Sequence, residues 1–219
     1  MTSNISGKFV ILDTEEEFLK NFSTAICKEI NYRVNYKLNT LLQKSKQIVR
    51  EILEACAFNI DVANGKLDAD LGLRPSEGKS KMDAIIQMLV DEIDIQFRNF
   101  RFQSGRIEGG IDIFILEETY KNILASGHAI IITDNFDVLD WLRWFLLEGN
   151  KIIIFGYHLQ VGTFNAGRSG KGLMFKNGTW KVPTQYAGTQ DDNFLTREMD
   201  SNILLMQDRI GEVFQEALE

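Results

Sequence analysis

Apolar side chains recur at Phe18, Phe22, Ile26, Ile30, Val34, Leu38, Leu41, Ile48, Ile52 and Ala55, with neither Gly nor Pro between Glu15 and Ala57. Their spacings of three, four or seven are those of a helical stripe. Asp13 and Glu16 stand where a capping pair closes the first turn, and Lys8 to Leu12 ahead of them reads as a short extended start. One helix of this length reaches roughly 65 Å at 1.5 Å per residue. It therefore either breaks once, near the polar Gln43-Lys44-Ser45-Lys46, or projects and buries its stripe against neighbouring subunits.

Asn64-Gly65, Arg74-Pro75 and Glu77-Gly78 predict a loop or small hairpin excursion over Phe58 to Ser80. From Ser80, Met82, Ile85, Ile86, Leu89, Val90 and Ile93 keep the helical period, which dissolves around Phe97 to Phe102. Ile111 to Leu116, His128 to Thr133 and Lys151 to Phe155 are β-branched runs bounded by Gly, Asn or Asp, read as strands of one sheet. A helix over Asp137 to Gly149 lies between the last two, with Gly149 as a left-handed cap. Asn177-Gly178 centres a hairpin over Met174 to Val182, and a last helix starts near Asp191. The fold class is α+β: a long N-terminal helical region, a bent, mainly antiparallel sheet with a packed helix, and a C-terminal helix. The 219 residues form a single structural domain, helical over 13–98 and sheet-plus-helix over 99–219.

Composition narrows the function more by exclusion than by assignment. Apolar residues are 44% and charged residues 25%, a globular mixture. Cys27 and Cys56 form no Cys-x-x-Cys pair, and no apolar run is long enough to span a bilayer, so no disulfide framework and no membrane partner is expected. The N-terminus lacks a basic, apolar export signal. His128 and His158 are the only histidines, too few for a three-histidine metal site. Ser169 and His158 with an aspartate compose a triad on paper, without the Gly-x-Ser-x-Gly elbow. Gly167 to Gly172 invites a phosphate-loop reading, but Asn165 and Gly172 stand where the Walker pattern needs Gly and Ser or Thr. No catalytic, cofactor-binding or metal residue is assigned, and the chain is read as a non-enzyme.

One distributional feature remains. Gly149 to Gln190 contains no Asp or Glu, while Lys151, Arg168, Lys171, Lys176 and Lys181 supply +5, leaving −12 on the remainder of a chain of net charge −7. A basic, Gly-rich segment on an acidic protein meets an acidic surface of another copy, of a different protein, or of nucleic acid. The favoured partner is protein, because the cations are dispersed and Trp180 is the single interleaved Trp.

The segments Gly167 to Met174, Trp180 to Thr189 and Asp192 to Arg197 resemble neck and tail-completion proteins of tailed bacteriophages. Ser104-Gly105-Arg106-Ile107 is similar to that family's turn before its sheet, and Trp144 to Gly149 to its aromatic-to-Glu segment; the long stretch Glu15 to Ser80 has no counterpart. The resemblance, covering mainly residues 100 to 200, implies a virion structural protein assembled in the host cytoplasm. It would form a homo-oligomeric ring between portal and tail, contacting other neck, portal or tail proteins and, in its lumen, DNA without sequence specificity. In such a ring the loop Gly162 to Gly172 and the Met174 to Val182 hairpin are expected contact elements. Arg168, Lys171 and Lys176 would set electrostatic register, with Phe164, Phe175 and Trp180 as anchors. The rival reading is a metal-dependent nuclease or a nucleic-acid-binding protein acting through 149–190.

Overall fold

Helix α1 (Glu15–Ala55) is unbroken and about 62 Å long at 1.5 Å per residue. Its polar middle does not interrupt it, because those side chains tie it to its neighbours. Ser45 is buried, Lys44 pairs with Glu216, and Lys46 Nζ donates to the Asp91 carbonyl at 2.7 Å. The capping pair sits one residue later than the sequence predicts. Thr14 Oγ1 accepts from Glu17 N at 3.3 Å and Glu17 Oε2 accepts from Thr14 N at 3.0 Å, since the hydroxyl of Thr14 also donates to Glu17 at 2.8 Å. The computed structural model describes residues 13–115, 118–134, 136–149 and 151–219, so the expected extended start at Lys8 to Leu12 lies outside it.

In place of the expected hairpin excursion come two short helices, α2 (Ala57–Ala63) and α3 (Asp68–Leu71), then α4 (Glu77–Asp91). The turn formers act as helix ends instead. Asn64 closes α2, and Gly72, at φ +63, caps α3 in the left-handed region. Met82, Ile85, Ile86, Leu89 and Val90 of α4 are buried, as their period predicts. The β region then starts at Ile93, inside the stretch expected to be helical.

The strands form three separate two-stranded antiparallel sheets among the described residues rather than one. β1 (Ile93–Gln103) and β2 (Arg106–Ile115) are joined at Ser104 and Gly105, φ +53 and +79, the paired left-handed geometry of a tight hairpin turn. The register shifts between Arg98 and Arg101, and Asn31 of α1 fills the gap. Its side-chain amide donates to the Phe100 carbonyl at 3.0 Å and accepts from Phe100 N at 2.7 Å, so the backbone left over by the bulge is satisfied. After α5 (Glu118–Leu124) come the minimal strands β3 (Ile131–Ile132) and β4 (Val138–Leu139). The helix expected over 137–149 is the shorter α6 (Trp141–Leu146).

β5 (Ile152–Val161) and β6 (Gly172–Lys181) make the third ribbon. Asn177-Gly178 is not its turn. It lies within β6 as a bulge, Asn177 at φ +71, where Phe155 faces Thr179 and Tyr157 faces Lys176. Asn-Gly supplies the left-handed backbone that either feature needs; the hairpin turns instead through residues 162–171. Gly149 is not a left-handed cap either. A side chain there would lie 2.5 Å from Ala187 Cα, so it is a point of close backbone approach.

The final helical region is two helices, α7 (Phe194–Ser201) and α8 (Ile203–Leu218). Asn193 caps α7 by accepting from Leu195 N and Thr196 N at 3.0 and 3.2 Å. One core cluster draws on both halves of the chain: Leu53, Leu73, Ile86, Trp141, Phe145 and Trp180 are among its buried members. Phe58 centres an aromatic group with Phe194 at 4.1 Å and Phe145 at 5.0 Å. A smaller cluster, Val34, Leu41 and Ala217, holds α8 along α1. The fold is α+β, and no described helix is long and apolar enough to cross a membrane.

Candidate functional site

The basic loop between β5 and β6 is fastened to the helical half. Lys171 Nζ donates to Asp68 Oδ2 and to the Gly65 carbonyl, both at 2.8 Å. Asp68 is 1% exposed and its Oδ1 has no partner among the described residues. Arg168 donates to the Ile132 carbonyl and reaches Glu77 Oε2 at 3.4 Å. Glu77 also accepts from Arg74 N at 3.0 Å, and Lys81 Nζ lies 3.9 Å from it. Lys81 donates to the Ile130 carbonyl at 2.7 Å. Burial pulls the Lys81 ammonium below the ordinary lysine range, with Glu77 opposing and Arg168 adding to the shift.

Five of the loop's amides are already paired within it. Gly162 N donates to the Lys171 carbonyl, Phe164 N to Gly170, Gly167 N to Phe164 and Gly170 N to Gly167, at 2.8 to 3.1 Å, while Lys171 N donates to Ser169 Oγ at 3.1 Å. A phosphate cradle needs those groups aimed outward. A side chain at Gly167 would lie 2.2 Å from the Gly172 carbonyl oxygen, which accounts for that glycine by packing. Ser169 is buried, whereas His158 Nδ1 lies 3.2 Å from the Asn177 carbonyl, so each member of the paper triad has a different neighbour.

Of the six residues singled out as contacts, the structure groups Phe164 with Phe175, rings edge-on at 6.0 Å, and leaves Lys176 exposed. Trp180 is core: it is buried and edge-on to Trp144 at 5.7 Å. Burial holds the Asp70 carboxyl above its ordinary range, the Trp180 hydrogen bond pulling the other way. Arg168 and Lys171 serve the chain's own fold. With Lys151 beside Glu148 at 3.5 Å, Lys176 and Lys181 are the cations of the segment without an ion pair among the described residues.

Exposed apolar side chains form further surfaces. Residues 13–22 are all exposed, and Phe18 and Phe22, 47% and 55% exposed, stack on each other at 6.0 Å beside Leu19. Phe155, Tyr157 and Val161 stand exposed on the β5–β6 ribbon, and Ile203, Leu204 and Leu205 at the start of α8. The helical stripe was visible in the sequence as a period, and its projection was one of two expectations; which of its turns lack a cover was not visible. Among the described residues no three His, Cys, Asp or Glu side chains are placed to hold one metal ion. No protein-family model, no curated protein and no solved structure matches this chain.

Proposed function

We propose that the chain is a virion structural protein that assembles as a homo-oligomeric ring at the head–tail junction of a tailed bacteriophage, linking portal to tail. The observation that carries this reading is the uncovered apolar surface on three separated parts of the chain: the first turns of α1, the β5–β6 ribbon and the start of α8. Apolar residues displayed in this way are what subunit contacts consume. The resemblance at Gly167 to Met174 and Trp180 to Thr189 supplies the location.

Mass photometry over a concentration series, alone and with portal-complex or tail-tube fractions, tests it. A discrete ring, or binding to those fractions, is the expected result. A monomer that ignores both, or metal-dependent turnover of DNA by the purified chain, would overturn it in favour of the nuclease or nucleic-acid reading.

A further inference from the structure

β5 ends its ribbon on an open edge. It pairs with β6 on one side only, and no backbone group of Tyr157 to Val161 bonds outside that ladder among the described residues. About half of the backbone donors and acceptors of such a strand point away from its one partner. Gln160 and Val161 are exposed, whereas Leu173 and Gly172, which face them across the ribbon, are half-buried and buried. The chain covers β6 there more than β5. Open edges are normally blunted by charge or proline. β1, β2 and β6 follow that rule, with Arg98 and Arg101, Arg106 and Glu108, and Lys176 and Lys181. β5 has no Asp, Glu, Lys, Arg or Pro in its ten residues. From Tyr157 to Val161 it also keeps an unbroken register with β6, so its free edge there is a regular row of donors and acceptors.

We propose that this edge takes the same edge of a second copy of the chain, antiparallel about a two-fold axis at Leu159. Leu159 is the midpoint of the regular run. That register sets Tyr157 opposite the partner's Val161, twice over by symmetry, and His158 opposite the partner's Gln160. The first is an aromatic against a β-branched side chain, a favourable cross-strand pair. Tyr157 and Val161 are 42% and 68% exposed, so the pairing covers apolar surface that the protomer leaves in water. The second sets an imidazole against an amide, which offers both a donor and an acceptor and so bonds either tautomer.

Charge selects this occupant among the long strands of the chain. Laying β1, β2 or β6 of another copy along β5 would press their charged side chains against an uncharged edge, whereas β5 against itself brings no charge to the contact. A two-fold pair closes on two copies. The contact therefore goes beyond the ring reading and does not rest on it, since a ring needs a further surface.

Charge exchange in the full-length chain tests both the contact and its register. A first variant, Tyr157→Glu with Val161→Glu, sets two like-charged pairs across the axis; a second, Tyr157→Glu with Val161→Lys, sets two opposite ones. Within the protomer, position 157 faces Lys176 and position 161 faces Gly172, so neither variant opposes like charges in its own ribbon. Far-ultraviolet circular dichroism checks that both fold. In sedimentation velocity over a concentration series the natural chain should associate in pairs, and the first variant about tenfold or more weakly. The second should come within about threefold of the natural chain at low salt and lose that recovery at high salt. Amide exchange over 157–161 should slow as the natural chain is concentrated. A natural chain that never pairs, a first variant that pairs as well as it does, or a second variant that recovers nothing would overturn the contact. Association seen only in mixtures with portal-complex fractions would give the edge to a different protein and overturn it too.

Discussion

Asp68 is the charge that the chain can least afford to leave alone. It is 1% exposed, one of its oxygens lacks a partner among the described residues, and the other depends on Lys171. Lys171→Ala strands a buried carboxylate; because the ammonium itself is half-exposed, the cost should be about 2 kcal/mol rather than the larger loss of a fully buried pair. Asp68→Asn combined with Lys171→Ala should recover more than half of that loss in urea unfolding, since no charge is then stranded. Equal losses in the single and double variants would show that the pair contributes through packing alone. Asp70 carries the opposite sign. Its carboxyl is raised by burial, so the folded state holds the proton more tightly than the unfolded chain. Its stabilising contribution is complete below about pH 4 and lost as the pH rises through the raised value. Asp70→Asn, which keeps an acceptor for Trp180, should unfold at a higher temperature than the natural chain at pH 7. That gap should narrow as the pH falls to 4 in a thermal-shift series; a gap independent of pH would remove the titration argument.

At the scale of elements, the first turns of α1 test how far a helix is held by its cap alone. Thr14 and Glu17 close those turns, and residues 13–22 are all exposed, so little tertiary packing backs the cap. Thr14→Ala should leave the global unfolding midpoint unchanged and speed amide exchange over 15–22 roughly fivefold, the equivalent of about 1 kcal/mol. Exchange that is unchanged there would mean the turns are held by packing. The bulge at Asn177 is a second local test. Asn177→Ala should cost about 1 kcal/mol because its backbone is left-handed, and Asn177→Gly should cost nothing; the measurement is the unfolding midpoint of each. These elements also show what was legible in the sequence. α1 and α4 followed from period, because a stripe packed on one side is a local signal. Asn177-Gly178 was read as a turn because the same two residues serve a turn or a bulge, and only the partner strand decides. Asn64-Gly65 and Glu77-Gly78 were read as loop formers, when Asn64 closes α2 and Glu77-Gly78 opens α4. The charges of Arg168 and Lys171 were legible, but Glu77 and Asp68, 91 and 103 residues away, were not.

For the whole molecule, the division of the basic segment into used and unused cations decides which substitutions can report on assembly. Arg168 and Lys171 bind the loop to Glu77, Ile132, Asp68 and Gly65 of their own chain. Reversing either charge changes the protomer before it changes any contact. Arg168→Glu and Lys171→Glu should each lower the unfolding temperature, and assembly lost in those variants says nothing about an interface. Lys176 and Lys181 are exposed and without ion pairs among the described residues. Lys176→Glu with Lys181→Glu should therefore hold stability within about 0.5 kcal/mol. If the segment 149–190 meets an acidic neighbour, the same double variant should assemble more slowly than the natural chain at low salt. The difference should fade at high salt, where screening acts within about 10 Å at 0.1 M. Light scattering during assembly at two ionic strengths reads both. Equal rates at low salt would take the charges of Lys176 and Lys181 out of the interface and leave recognition to the exposed apolar side chains of the first turns of α1, the start of α8 and the β5–β6 ribbon. Their association would then vary little with salt and fall as apolar side chains are removed.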